Sequence, residues 1–279
     1  MADPADARAR YARRLAVAAA AANPRIERAF ATVPREAFLG PGPWQIVAEG
    51  RLVETPDADA SHIYENVLVV LDPDKGINNG EPLLHAMWMA RVAPQLGETV
   101  LHIGAGTGYY TALLSLLVQP GGLVVAFELD PGLAARATEN LRPYGNVGLV
   151  HANALTSVVP PANVIYVNAA VAAPPQAWLQ PLLPGGRLIF PWQPTRRLGI
   201  TILITRRGQG FACDPLMGSR FIACSGLAEA GTAVEVTREQ ALRSRSLWLV
   251  ADRRPDSSST AIFDEVWFSS RRLPDAPPP

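Results

Sequence analysis

The residues with the clearest chemical meaning are three glycines at alternate positions in Val100-Leu101-His102-Ile103-Gly104-Ala105-Gly106-Thr107-Gly108-Tyr109. An apolar strand runs into them, and a helix-forming stretch from Thr111 to Leu117 follows. Glycines at such a junction let the backbone turn sharply and lie against a ligand, with the free amides of the next helix pointing at it. A second apolar run, Leu123 to Phe127, ends in Glu128. An acid at the end of the second strand of a βαβ unit is placed to accept the two hydroxyls of a ribose. The pattern predicts an adenosine-type cofactor.

Glycine spacing narrows the choice. A dinucleotide loop needs glycine at position 109, where this chain has Tyr109, and its third glycine comes one place earlier. Gly-x-Gly-x-Gly is the spacing usual for S-adenosylmethionine (SAM), which lays an uncharged ribose and an amino-acid tail across the loop.

Such a loop needs alternating strands and helices to hold it. From residue 99 onward, strands are expected at 99–103, 123–127, 147–151, 163–168 and 186–190, with helices at 109–118, 131–141 and 175–183. Unbroken apolar runs such as Val164-Ile165-Tyr166-Val167 suit strands buried on both faces. The expected fold is α/β, a doubly wound, mostly parallel, Rossmann-like sheet. Gly199–Thr205 and Gly210–Cys224 read as a closing antiparallel pair. Upstream lie two helices, 5–22 and 24–32, split at Pro24, and then a stretch from 44 to 75 that reads as irregular except for a β-like run at Val67–Leu71. A helix is expected from Pro82 to Val92. Beyond Gly226 a helix at Thr237–Arg245 and strands at Ser246–Val250 and Ala261–Phe268 are expected, and a disordered proline-rich tail from Arg271. The division expected is an N-terminal segment, 1–75, a cofactor domain, 76–226, and a C-terminal extension, 227–279.

At 279 residues and 48% hydrophobic composition the chain can bury a substantial core. Its 25 basic and 25 acidic residues balance, so no global field favours nucleic acid or an anionic membrane. Lys75 is the only lysine. Two cysteines without Cys-x-x-Cys spacing, and four scattered histidines, point away from a zinc site or a disulfide scaffold, so no metal is expected. Arg13-Arg14 before Leu15–Ala22 is similar to an export signal, but the run is short and alanine-rich, and reads as a surface helix. No stretch approaches the roughly 20 apolar residues of a membrane span. A cytoplasmic protein is expected.

Several separated segments extend the pattern. Val33-Pro34-Arg35-Glu36-Ala37-Phe38, Gly76–Met89 with Pro82-Leu83-Leu84-His85-Ala86, Asn163–Ala170, Leu183–Pro191 and Asp214-Pro215-Leu216-Met217-Gly218 occur in one order over about residues 30 to 226. In these and in the glycine loop the chain resembles the protein-L-isoaspartate (D-aspartate) O-methyltransferases, which have a class I SAM-dependent methyltransferase fold. The resemblance implies SAM as cofactor and S-adenosylhomocysteine as product. It puts Gly104, Ala105, Gly106, Thr107 and Gly108 under the methionine and ribose, Glu128 on the ribose hydroxyls and Leu129 on the adenine. Asn153 falls where the family has an acid that contacts the adenine amine. His85 and His102 fall near the cofactor, and Ser225 matches a late hydroxyl that closes over it.

The chain departs from the family at the substrate-side loop. There the family has Gly-x-Thr-Ile-Ser-x-Pro, and this chain has Gly76-Ile77-Asn78-Asn79-Gly80-Glu81-Pro82. Asn78 and Gly80 replace the hydroxyl residues, so Asn78, Asn79 and Gly80 are the candidates at the reaction centre. His102 stands in for the acid two residues before the first glycine, and Asn153 and Asn163 for two others. Glu81, Asn168, Ala169 and Trp192 are candidates for the acceptor side, the last three because ligands of open α/β sheets sit beyond the strands' C-terminal ends. The loop offers amides and no strong base. A carboxylate is already ionised at pH 7 and needs none, whereas an amine or hydroxyl acceptor would. The expected activity is methyl transfer to a carboxylate, in an (iso)aspartyl peptide or protein or in a small acid. The alternative is a non-catalytic SAM- or nucleoside-binding module acting through a partner.

Overall fold

The computed structural model describes residues 4–21, 23–48, 50–224 and 235–273. In chain order its elements are α1 (Pro4–Ala18), α2 (Pro24–Thr32), β1 (Gln45–Ala48), β2 (Arg51–Glu54), β3 (Leu68–Asp72), β4 (Ile77–Asn78) and α3 (Pro82–Val92). Next come β5 (Thr99–Ile103), α4 (Tyr109–Val118), β6 (Leu123–Glu128), α5 (Pro131–Asn140), β7 (Val147–His151) and β8 (Ala162–Val167). The remainder is α6 (Gln176–Leu179), β9 (Leu182–Trp192), β10 (Ile200–Arg207), β11 (Gly210–Gly218), α7 (Arg238–Arg243), β12 (Ser246–Leu249), β13 (Ser259–Ile262) and β14 (Val266–Ser269). None of the described helices is long and apolar enough to cross a membrane. The chain forms two compact units, residues 1–98 with 105–151, and residues 99–104 with 152–279.

In the first unit, local chemistry fixes the helix starts. The Asn23 side chain accepts from Arg25 N ahead of Pro24, and Asp130 Oδ1 accepts from Leu133 N ahead of Pro131. Helix α4 is apolar nearly all round and accordingly almost wholly buried. Tyr11, Phe30, Phe38, Tyr64 and Tyr109 meet edge to face in one aromatic cluster. Strands β6 and β7 run parallel, in register from Val124 opposite Val147 to Glu128 opposite His151.

This unit also corrects the reading of 44–75 as irregular. Four antiparallel strands form a small sheet in the order β2-β1-β3-β4. All of β2 is exposed and β1 is nowhere fully buried, so neither shows the alternation that marks a half-buried strand.

In the second unit β5, β8 and β9 are parallel neighbours, as their apolar runs predict. From β9 the order continues β10-β11-β12-β14-β13, antiparallel throughout. The antiparallel part thus exceeds the single pair expected, and residues 246–269 extend the same sheet. Helix α6 is shorter than the expected 175–183 because Pro181 cannot continue it, and Leu182 already pairs with Ala162. The strand expected at 261–268 is a hairpin, turning at Phe263-Asp264-Glu265. Arg271, expected in the tail, is tied to the sheet: its carbonyl accepts from Ser246 Oγ and its amide donates to Ser269 Oγ. Residues 274–279 of the expected tail lie outside the described residues.

Candidate cofactor and acceptor site

The glycine turn into α4 is built in the first unit from Ala105 onward. Ala105 N donates to Phe127 O (3.0 Å), and Gly106 N donates to Glu128 Oε2 (2.7 Å). Gly108 opens α4 at φ +97°, and a Cβ there would meet Leu141 at 2.9 Å. Both facts require glycine. At Gly106 a Cβ would meet nothing within 4 Å, so the backbone there faces open space.

Glu128 is 8% exposed and accepts three backbone amides, from Gly106 at Oε2 and from Leu129 and Asp130 at Oε1. Burial raises its pKa, and the three amides pull the other way by favouring the charged form. Leu129 is 43% exposed, an apolar side chain left in the open beside the acid, and its carbonyl accepts from His151 Nε2 (3.2 Å). Asp130 Oδ2 pairs with Lys75 Nζ at 2.5 Å, and Lys75 also pairs with Asp72. The hairpin turn before the Asn-Asn-Gly loop is therefore tied to the residue two beyond Glu128.

In that loop the side chains hold the backbone. Asn78 Oδ1 accepts from Gly80 N (2.9 Å). Asn79 is buried, its amide donates to Val69 O, and its Oδ1 accepts from Arg35 Nε (3.3 Å). Asn78 and Asn79 each spend one oxygen bond on loop structure. Glu81, expected on the acceptor side, accepts from Asn66 Nδ2 (2.7 Å), whose Oδ1 accepts Leu83 N at the start of α3. His85 is buried, stacked on Tyr110 with ring centroids 3.6 Å apart. Sequence reasoning gave Arg35 and Asn66 no role; an arginine set among the apolar Val33, Ala37 and Phe38 was the available signal.

Gly80 has φ +78°, and a Cβ on it would lie 2.6 Å from His85 Nε2 and 3.2 Å from Tyr110 Cε2. Restoring the family's serine should therefore fail. Gly80→Ser is expected to cost about 1–3 kcal/mol of stability through backbone strain and the clash, with no gain in methyl transfer. A thermal melt and a turnover assay check this; a stable variant with raised activity would show that the loop is short only of its hydroxyl.

The second unit carries the other candidates. His102 is fully buried, and burial pushes its pKa down to about 3. It is neutral at pH 7. Asn168 Nδ2 donates to His102 Nε2 (2.9 Å), and Asn168 Oδ1 is buried without a hydrogen-bond partner. Asn168 lies against Gly104: a Cβ there would be 3.5 Å from Asn168 Cβ. Ala169, next to it, is half-buried. Asn163 Oδ1 accepts Thr99 N, and Asn153 Oδ1 accepts Leu155 N, so both asparagines shape local backbone. For Asn153 this leaves one oxygen lone pair for an adenine amine.

Trp192 is corrected from the acceptor side to the core. It is fully buried, donates Nε1–H to Ala172 O (2.7 Å) and stacks on Phe268 at 4.3 Å. Ser225 lies outside the described residues.

Parallel strands, a glycine-rich turn into a helix and a buried acid at the end of the following strand define the class I SAM-dependent methyltransferase fold. Within that class the family model for protein-L-isoaspartate(D-aspartate) O-methyltransferase matches residues 54–229, and the chain belongs to that family. A protein-L-isoaspartate O-methyltransferase of Thermotoga maritima is 32% identical over 216 residues, 72% of this chain and 61% of the relative. One from Aeropyrum pernix is 34% identical over 200 residues, 68% of each chain. The match to the Thermotoga relative thus spans less than two thirds of that protein's length.

Solved structures agree in fold. A protein-L-isoaspartate O-methyltransferase superposes with TM-score 0.67 at 23% identity, covering 94% of this chain and 86% of the other. A Plasmodium falciparum protein described as a putative protein-L-isoaspartate O-methyltransferase, in complex with S-adenosyl-L-homocysteine, gives 0.64 at 16% identity, covering 79% and 99%.

Proposed function

We propose that the protein is a SAM-dependent O-methyltransferase that methylates a carboxylate of an (iso)aspartyl peptide or protein, or of a small acid. The observation that carries this reading is the Glu128 carboxylate drawn onto the Gly106 amide beside a backbone stretch facing open space. The residues present fit SAM. Glu128 has one acceptor site left for a ribose hydroxyl after its three amides, and Leu129 offers an exposed apolar surface to the adenine.

When bound, SAM supplies an electrophilic methyl group on a sulfonium. The chain's part is to hold the acceptor carboxylate in line and exclude water. An ionised carboxylate needs no base, and neither His85, stacked on Tyr110, nor neutral His102 is needed as one. Cys213 and Cys224, neither of them in a disulfide, suit a reducing, cytoplasmic setting.

The test is methyl transfer from labelled SAM to an isoaspartyl peptide, its aspartyl twin and a panel of small acids, beside calorimetry with S-adenosylhomocysteine. Transfer to at least one carboxylate acceptor is expected. Binding without transfer to any acceptor would support the second reading, a non-catalytic SAM-binding module.

A further inference from the structure

We propose that Asn168 recognises the methionine end of SAM, its Oδ1 accepting a hydrogen bond from the α-ammonium group while the His102 ring holds the amide in place. This rests on the SAM reading above. The groups on which it depends all lie in the second unit.

Asn168 Nδ2 donates to His102 Nε2, an imidazole nitrogen that can accept only when unprotonated. Its neutrality is secured by full burial. With the NH2 end on the ring, the oxygen is turned away from it, and this oxygen is the buried atom that lacks a partner. A buried acceptor without a donor is destabilising, so a ligand that brings a donor to it is favoured. The backbone sets its position. Asn168 N donates to Ile103 O (2.8 Å), and the side chain packs against Gly104, the first residue of the loop assigned to the methionine and ribose.

The donor that SAM carries at its methionine end is the α-ammonium. At this point the chain offers an oriented amide dipole and a neutral ring. Selectivity for the ammonium then comes from a directed hydrogen bond, which is strengthened when the donor is charged.

Calorimetry on the full chain with two ligands tests this: S-adenosylhomocysteine, which has the ammonium, and 5′-methylthioadenosine, which lacks the amino-acid end. Asn168→Ala is expected to weaken S-adenosylhomocysteine about tenfold, the scale of one hydrogen bond to a charged group, and to leave methylthioadenosine unchanged. Asn168→Leu, close in size but without the oxygen, is expected to weaken S-adenosylhomocysteine relative to methylthioadenosine in the same way. It serves alone if the alanine variant does not fold. An unchanged affinity ratio in either folded variant overturns the proposal. If the unaltered protein binds methylthioadenosine as tightly as S-adenosylhomocysteine, the proposal falls and the cofactor-class reading survives. If it binds neither, both fall.

Discussion

Arg35→Ala is expected to lower the unfolding free energy by about 3 kcal/mol or more, because several buried oxygens lose their donor at once. The Arg35 side chain is fully buried. Nη1 donates to Ile63 O (2.6 Å) and Glu65 O (3.3 Å), Nη2 to Val67 O (2.8 Å) and Nε to Asn79 Oδ1 (3.3 Å). Its own amide meets Tyr64 Oη, which in turn donates to Glu36. A guanidinium presents five donors in a rigid plane and can serve carbonyls spread over residues 63–67 together with the amide of Asn79. Lysine concentrates three donors on one atom, so Arg35→Lys should recover only part of the loss. Urea unfolding followed by circular dichroism measures the stability, and hydrogen exchange at residues 63–67 and 79 locates the damage. The loop that carries Asn79 should loosen with it, raising the acceptor KM more than it lowers kcat. An unchanged urea midpoint in Arg35→Ala would mean that the segment is held by something else.

The second large effect is expected at Glu128. Oε1 accepts two amides and Oε2 a third, so Glu128→Gln sets an NH2 against at least one backbone N–H. The substitution also removes the charge that favours the amides and the ribose hydroxyls. Hydrogen bonds to charged groups are worth about 1.5–3 kcal/mol, so the Kd for S-adenosylhomocysteine should rise roughly ten- to a hundredfold. Glu128→Asp keeps the charge but is one methylene shorter, and should fall between the two. Calorimetry reads the affinity, and a thermal melt separates it from unfolding. Parental affinity in a folded Glu128→Gln variant would remove the acid from the cofactor site.

These two residues also show what the sequence could disclose. Glu128 and the glycine loop were legible because their chemistry is local: an apolar run, a turn that needs glycine, and an acid at a strand end. The same holds for β5, β6 and β8, whose apolar runs are buried, and for α3, which starts at Pro82 as expected. Arg35 was not legible, because its partners lie 28 to 44 residues away. The pairing of His102 with Asn168 spans 66 residues. Trp192 was misplaced for the same reason: its stacking partner Phe268 comes from the last hairpin, whose two short strands read as one. Where a residue type suits both a surface and a core, the partner decides, and a single chain read in order does not display its partners.

Lys75, the chain's only lysine, offers amine-directed chemistry a single side-chain target. Its pairing with Asp130 and Asp72 raises its pKa and keeps the nitrogen protonated, hence poorly nucleophilic. Acylation at this one position proceeds through the small deprotonated fraction that the two carboxylates leave.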